Sequence, residues 1–117
     1  MKIGVIGSRG FNDYKLLKDT LDKYLPEATV VVSGGARGAD SLGERWAKEN
    51  GLETLIFLPD WDAYGKSAGY IRNADIVKNS DIIIAFWDGM SKGTEHSINL
   101  GKKQNKEVKI VYFNKVF

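Results

Sequence analysis

The stretch TVVVSGGARGAD, Thr29–Asp40, decides the fold. Thr29–Ser33 is a short β-branched run, the composition of a strand buried on both faces, and it runs straight into Gly34-Gly35. Ala39–Asn50 then carries Leu42, Trp46 and Ala47 on one helical face. Ser41 and Glu44 stand at capping-box spacing, and Gly51 reads as the C-cap. A strand, a glycine turn and a helix in succession form the repeating unit of a parallel α/β sheet.

The same unit recurs on either side. Lys2–Gly7 (KIGVIG) is a buried strand ended by glycine, and from an N-cap at Asn12 a helical stripe runs through Leu16, Leu17, Leu21, Tyr24 and Leu25 until Pro26 stops it. Leu52–Leu58 reads as the third strand and Pro59–Gly65 as a loop. The helix that follows repeats Ala68, Ile71, Ala74 and Val77. Asp81–Trp87 (DIIIAFW) is the most continuously apolar strand, hence central. Asp88–Gly93 is a loop, Thr94–Gln104 a helix and Val108–Phe113 the last strand. Five strands alternating with four helices predict one α/β domain over residues 1–117, a Rossmann-like three-layer sandwich around a parallel sheet with right-handed crossovers. The strand order 3-2-1-4-5 centres the two most apolar strands.

Composition bounds the function. The chain has 117 residues, about one domain's worth, with 43% hydrophobic residues for a core and 27% charged residues for a solvated surface. A net charge of +2 without a basic block gives nucleic-acid binding little help. No apolar run reaches the roughly 20 residues of a membrane helix, and Met1–Gly7 is no secretory leader. The absence of cysteine excludes disulfides and fits a reducing compartment. A cytoplasmic protein that does not engage membranes is the expectation.

In open α/β sheets ligands sit beyond the carboxyl ends of the strands, where the winding reverses. For this order that point lies between strands one and four, flanked by strand two, at the glycine-rich loops Ser8–Phe11, Gly34–Gly38 and Asp88–Thr94. In Ser33-Gly34-Gly35-Ala36-Arg37-Gly38-Ala39-Asp40, glycines let backbone N–H groups approach an anion at a helix start, and Arg37 supplies a bidentate cation. The competing reading is a tight turn with Asp40 only capping the helix. Gly7, Ser8 and Arg9 offer a hydroxyl and a second cation, and Phe11 staples the next helix in preference to stacking on a base. Asp88, Ser91, Gly93 and Thr94 form another anion cradle, with Glu95 in a helix first turn where the dipole alone would favour it.

Other motifs are excluded. The spacing is not G-x-G-x-x-G, and Gly65-Lys66-Ser67 is no P-loop, because Asp60 stands where the leading glycine should be. Asp60-Trp61-Asp62 reads as a solvated lid before a metal site, and His96, without a partner at ligand spacing, reads as surface. Arg72-Asn73 either salt-bridges outside or turns into the pocket. No metal and no cofactor is expected.

Together GSRGF (Gly7–Phe11), SGGARGAD (Ser33–Asp40), ERWA (Glu44–Ala47), PDWDAYGKSAGYIRN (Pro59–Asn73) and SKGTEHSI (Ser91–Ile98) resemble the SLOG superfamily, in its YspA/CpYpsA-related branch. The resemblance spans nearly the whole chain. It implies a Rossmann-like fold and a pocket for a nucleotide or nucleotide-derived ligand, often in a homodimer, for which Trp46 and Tyr70 are interface candidates. Its relatives include the lonely-guy phosphoribohydrolases, which use an Arg and a Glu; Arg72 matches that Arg by position. The Glu falls three residues after the Gly-Thr threonine, which is Ser97 here, whereas Glu95 follows Thr94 directly. The leading expectation is therefore a sensor or carrier holding its ligand with Gly7, Ser8, Arg9, Ser33, Gly34, Gly35, Arg37, Gly38, Asp40, Asn73, Asp88, Gly93 and Thr94. The alternatives are an N-glycosidase acting on a nucleoside monophosphate through Arg72 and Glu95 (or Asp88), and a single-strand binder stacking bases on Trp61, Tyr64 and Tyr70.

Overall fold

The computed structural model describes residues 1–113. Strands β1 (Lys2–Gly7), β2 (Val30–Ser33), β3 (Glu53–Ile56), β4 (Ile82–Trp87) and β5 (Glu107–Tyr112) form one sheet in the order β3-β2-β1-β4-β5. Every neighbouring pair is parallel. The expected order and class are those observed. β1 and β4 are central because their residues can be covered on both faces.

The period of two divides the sheet between two cores. Ile3 and Val5 of β1 with Ile82, Ile84 and Phe86 of β4 face one side. There they meet Leu17 and Leu21 of helix α1 (Tyr14–Asp22) and Trp46 and Ala47 of helix α2 (Ala39–Glu49). On the other side Ile6, Val32, Ile83 and Ala85 pack against Ile76 and Val77 of helix α4 (Ala68–Lys78) and Ile98 of helix α5 (Lys92–Lys103). A one-turn helix α3 (Trp61–Tyr64) and a 3₁₀ turn (Gly65–Ser67) lead into α4, where the sequence reading expected only a loop.

Local differences have local causes. Asp13, not Asn12, caps α1, its carboxylate accepting from the N–H of Leu16 at 3.0 Å. Ser41 and Glu44 make no capping box, because α2 already starts at Ala39 behind Gly38; Glu44 instead accepts from the Ser33 hydroxyl at 2.7 Å. The C-cap is Asn50, and Gly51 follows it at positive φ. β3 is shorter than expected because it is an edge strand with β2 as its sole partner. α5 begins two residues early, at Lys92.

Two aromatic expectations resolve as packing. Trp46 is no interface residue: it is fully buried, and its indole N–H donates to Asp22 at 2.9 Å, tying α2 to α1. Phe11 is buried too, stacked on Phe86 with ring centroids 4.8 Å apart.

Candidate functional site

The carboxyl ends of β1 and β4 open onto a cavity of about 490 Å³. The β1 end contributes Gly7, Ser8, Arg9 and Gly10; the β4 end contributes Asp88, Met90 and Ser91, with Gly93, Thr94 and Ser97 from α5. Ala36 and Asp40 close it from the β2–α2 turn, and Arg72, Asn73 and Ile76 from α4. The cavity therefore sits at the reversal point of the sheet, where this topology leaves two adjacent strand ends without a shared crossover.

Each wall is braced from within. The Ser8 hydroxyl accepts from the Asp88 N–H at 3.2 Å, linking the loops after β1 and β4. Asp88 Oδ1 accepts from the N–H groups of Met90 and Ser91 at 2.8 and 2.9 Å, folding the loop so that α5 starts at the cavity. Ser91 makes no side-chain cap, and its hydroxyl lies 3.2 Å from Thr94 Oγ1. The first-turn N–H groups of an α-helix have no partner within it and carry partial positive charge, so this wall suits an anion.

The same cavity is lined by a cation held in place by hydrogen bonds. Arg72 is half-buried; its Nη1 donates to the Gly34 carbonyl at 2.7 Å and its Nε to Asn73 Oδ1 at 3.0 Å. Burial lowers its pKa, with Asp40 opposing and Arg9 adding to the effect. The Asn73 amide nitrogen faces the Gly93 carbonyl at 3.4 Å and His96 Nδ1 at 3.3 Å. Because a guanidinium only donates and a carbonyl only accepts, these contacts orient the Asn73 amide and assign His96 Nδ1 as an acceptor. Burial lowers the His96 pKa, which agrees with a neutral ring, and Tyr70 packs on it edge-on at 4.5 Å.

Asp40 completes the lining. Its Oδ2 accepts from the N–H groups of Gly34 and Ala36 at 3.1 and 3.2 Å. Burial pushes its pKa up to about 6; the Ala36 N–H, Arg72 and the Gly34 N–H pull the other way, and Glu44 adds to the rise.

Of the residues singled out from the sequence, Gly7, Ser8, Arg9, Asp40, Arg72, Asn73, Asp88, Ser91, Gly93 and Thr94 meet at this cavity. The others do not line it. Ser33 is buried behind it, bonded to Glu44, and accepts from the Gly35 N–H at 3.2 Å. Gly34 backs Arg72, while Gly35 and Arg37 are exposed. Gly38 fits beneath the Ser8 and Arg9 carbonyls at φ +77° and belongs to a second crevice with Arg9, Asn12 and Ser41. Glu95 is exposed on α5 outside the cavity, whereas Ser97, the position matching the relatives' glutamate, lies inside. His96 is no surface residue but a partly buried support for Asn73. The sequence reading left Met90 and Ser97 out of its binding set. Ser97 was findable, since it shares a helix face with Gly93 and Thr94.

A profile of the YspA, cpYpsA-related SLOG family matches residues 1–64. The chain is also 36% identical to the Gene 61 protein of Mycobacterium phage D29, over 87% of this chain and 89% of that one. The chain belongs to the YspA, cpYpsA-related SLOG family.

Solved structures extend the likeness of this SLOG chain to its fold. DNA processing protein A (DprA) from Streptococcus pneumoniae superposes with a TM-score of 0.81 at 19% identity, covering 97% of the SLOG chain and 50% of DprA. The SLOG chain thus spans about half of the DprA chain it matches. The protein TM1055 superposes with a TM-score of 0.68 at 21% identity, over 92% of the SLOG chain and 71% of that one. Among the described residues no helix is long and apolar enough to cross a membrane.

Proposed function

We propose that this SLOG domain binds a nucleotide or nucleotide-derived ligand through its phosphate, as a sensor or carrier module. The observation that carries the reading is the presence of Arg72 and the α5 N-terminus in the lining of one cavity. A guanidinium anchored on two acceptors keeps its remaining N–H groups for a third partner, and the first-turn N–H groups of α5 supply a second set of donors. Gly93 and the Thr94 hydroxyl let an anion approach the helix, and Met90, 80% exposed at the mouth, offers an apolar surface to a base.

Membership of the SLOG family supports a nucleotide-associated role. The glycosidase alternative would convert AMP and water into adenine and ribose 5-phosphate. Of its two candidate carboxylates, Glu95 stands outside the cavity, whereas Asp88 lines it but is bonded to the N–H groups of Met90 and Ser91. The exposed Trp61, Tyr64 and Tyr70 keep single-strand stacking as a further reading, in keeping with the description of DprA as a DNA processing protein.

Denaturing the purified protein and identifying what it releases by mass spectrometry tests the proposal directly. A nucleotide-derived compound is expected, with that compound thermally stabilising the stripped wild-type protein but not the Arg72→Gln variant. No copurifying nucleotide, and no shift in melting temperature with nucleoside monophosphates or dinucleotides, would sink it. Adenine released from AMP would favour the glycosidase.

A further inference from the structure

The charged lining of this cavity is balanced: Arg9 and Arg72 face Asp40 and Asp88. A neutral lining is a weak partner for a phosphate. One of the two acids is also poorly placed to stay charged. Asp40 is 6% exposed, and it reaches the Gly34 turn from the same side as Arg72. A Cβ built on Gly34 would stand 2.6 Å from Arg72 Nη1 and 2.9 Å from Asp40 Oδ2, so acid and cation crowd one point of the wall.

In the empty cavity the carboxylate is sustained by two backbone N–H groups, by the field of Arg72 and by its place in the first turn of α2. An anion seated on Arg72 adds a like charge nearby, shares the guanidinium and expels water. All three changes disfavour a second negative charge. Arg72 from α4 and Glu44 from its own helix act directly on Asp40, and Arg9 from the loop after β1 and Asp88 from the loop after β4 share its cavity. Of the two that act on it, Glu44 already opposes its ionisation.

We propose that Asp40 takes up one proton when a phosphate-type anion occupies the cavity beside Arg72, so that the bound anion meets a cationic lining and a neutral carboxylic acid. The proton comes from solvent and adds to Oδ1, since Oδ2 is occupied by two N–H donors. The acid then donates to the ligand where the carboxylate would repel it. The pKa of Asp40, already raised to about 6 by burial, lies close enough to neutrality for the added charge to complete the change. This inference rests on the anion-binding reading above.

Calorimetric titration with inorganic sulfate, which stays fully ionised across the range, in two buffers of different protonation heat tests it. Wild-type protein at pH 7.5 should take up close to one proton per sulfate, and affinity should fall about tenfold per pH unit above neutrality. Asp40→Asn should bind without proton uptake, independently of pH and at least tenfold tighter at pH 8. His96→Gln should keep the uptake, which excludes the ring as the proton acceptor. Should Asp40→Asn fail to fold, the carbon-13 shift of the wild-type Asp40 carboxyl, with and without sulfate, reads the same event. Sulfate binding without uptake, or a folded Asp40→Asn that binds more weakly, overturns the coupling and leaves the anion site standing. If neither sulfate nor AMP binds, the anion site itself is overturned, and the coupling with it.

Discussion

Arg72 Nη1 donates to the Gly34 carbonyl at 2.7 Å, joining α4 to the turn after β2. The N–H of the same glycine donates to Asp40 Oδ2 at 3.1 Å, so one peptide neighbour on each side of Gly34 is held by a charged group of opposite sign. The missing side chain is what allows this. Any Cβ there would fall inside contact distance of both groups.

Gly34→Ala is therefore expected to dislodge Arg72 while leaving the sheet intact. The cost to stability should be about 1–3 kcal/mol, typical of overpacking. Chemical denaturation measures that cost, and a thermal-shift titration with AMP should show most of the ligand response gone. Full retention of that response would contradict the placement of Arg72.

Gly38→Ala tests a different constraint. At φ +77° an L side chain is strained, and the added Cβ would stand 2.4 Å from the Ser8 carbonyl oxygen and 2.6 Å from that of Arg9. Both obstacles are backbone and cannot swing aside. A loss of about 2–4 kcal/mol is expected from urea unfolding, larger than that of Gly34→Ala.

Trp46→Ala should be the most damaging of these substitutions. It empties a fully buried site between α2 and the sheet and strips Asp22 of an indole donor. About 3–5 kcal/mol is expected, with Trp46→Phe in between because it keeps the ring but not the N–H. Equilibrium unfolding of the two variants separates packing from the hydrogen bond.

The pH dependence of stability carries the signature of Asp40. Its folded pKa, about 6, lies above the ordinary carboxylate value of 3.8, so the folded state binds the proton more tightly than the unfolded state does. The contribution is thus complete below about pH 4 and is lost as pH rises through 6, on the order of 2–3 kcal/mol in all. Asp22 and Glu49 have lowered pKa values and act in the opposite direction at more acidic pH, and the lowered pKa of His96 acts in that same direction just below 6.5, so the Asp40 contribution is read from the difference between wild type and Asp40→Asn. Asp40→Asn should gain on wild type as pH rises from 4 to 6 and be more stable than wild type at pH 7.

Glu95→Gln, by contrast, should leave nucleotide binding within twofold of wild type in a thermal-shift or calorimetric titration. Glu95 is exposed and stands outside the cavity. A tenfold loss would require α5 to turn by a face when ligand binds.

The amino-acid sequence by itself determined the five strands, their glycine-rich exits and the alternation that makes the sheet parallel. These follow from periodicities of two and 3.6 and from residues that cannot continue an element, all properties of a few neighbouring positions. That Lys2–Gly7 and Asp81–Trp87 lie inside the sheet was also legible, because they are too apolar to sit at an edge, and the full order β3-β2-β1-β4-β5 is the doubly wound arrangement that centres them. The tertiary structure decided which polar groups line the cavity and which only brace it. Ser33, Glu44, Glu95 and His96 are ordinary helix or strand-end residues in the sequence. Two pairs, Ser33 with Glu44 and His96 with Asn73, become bonded supports, and Glu95 faces solvent. The rotation of each helix about its axis set these fates. That rotation is fixed by how Trp46, Ile76 and Ile98 seat their helices against the sheet, a packing between elements far apart in the chain.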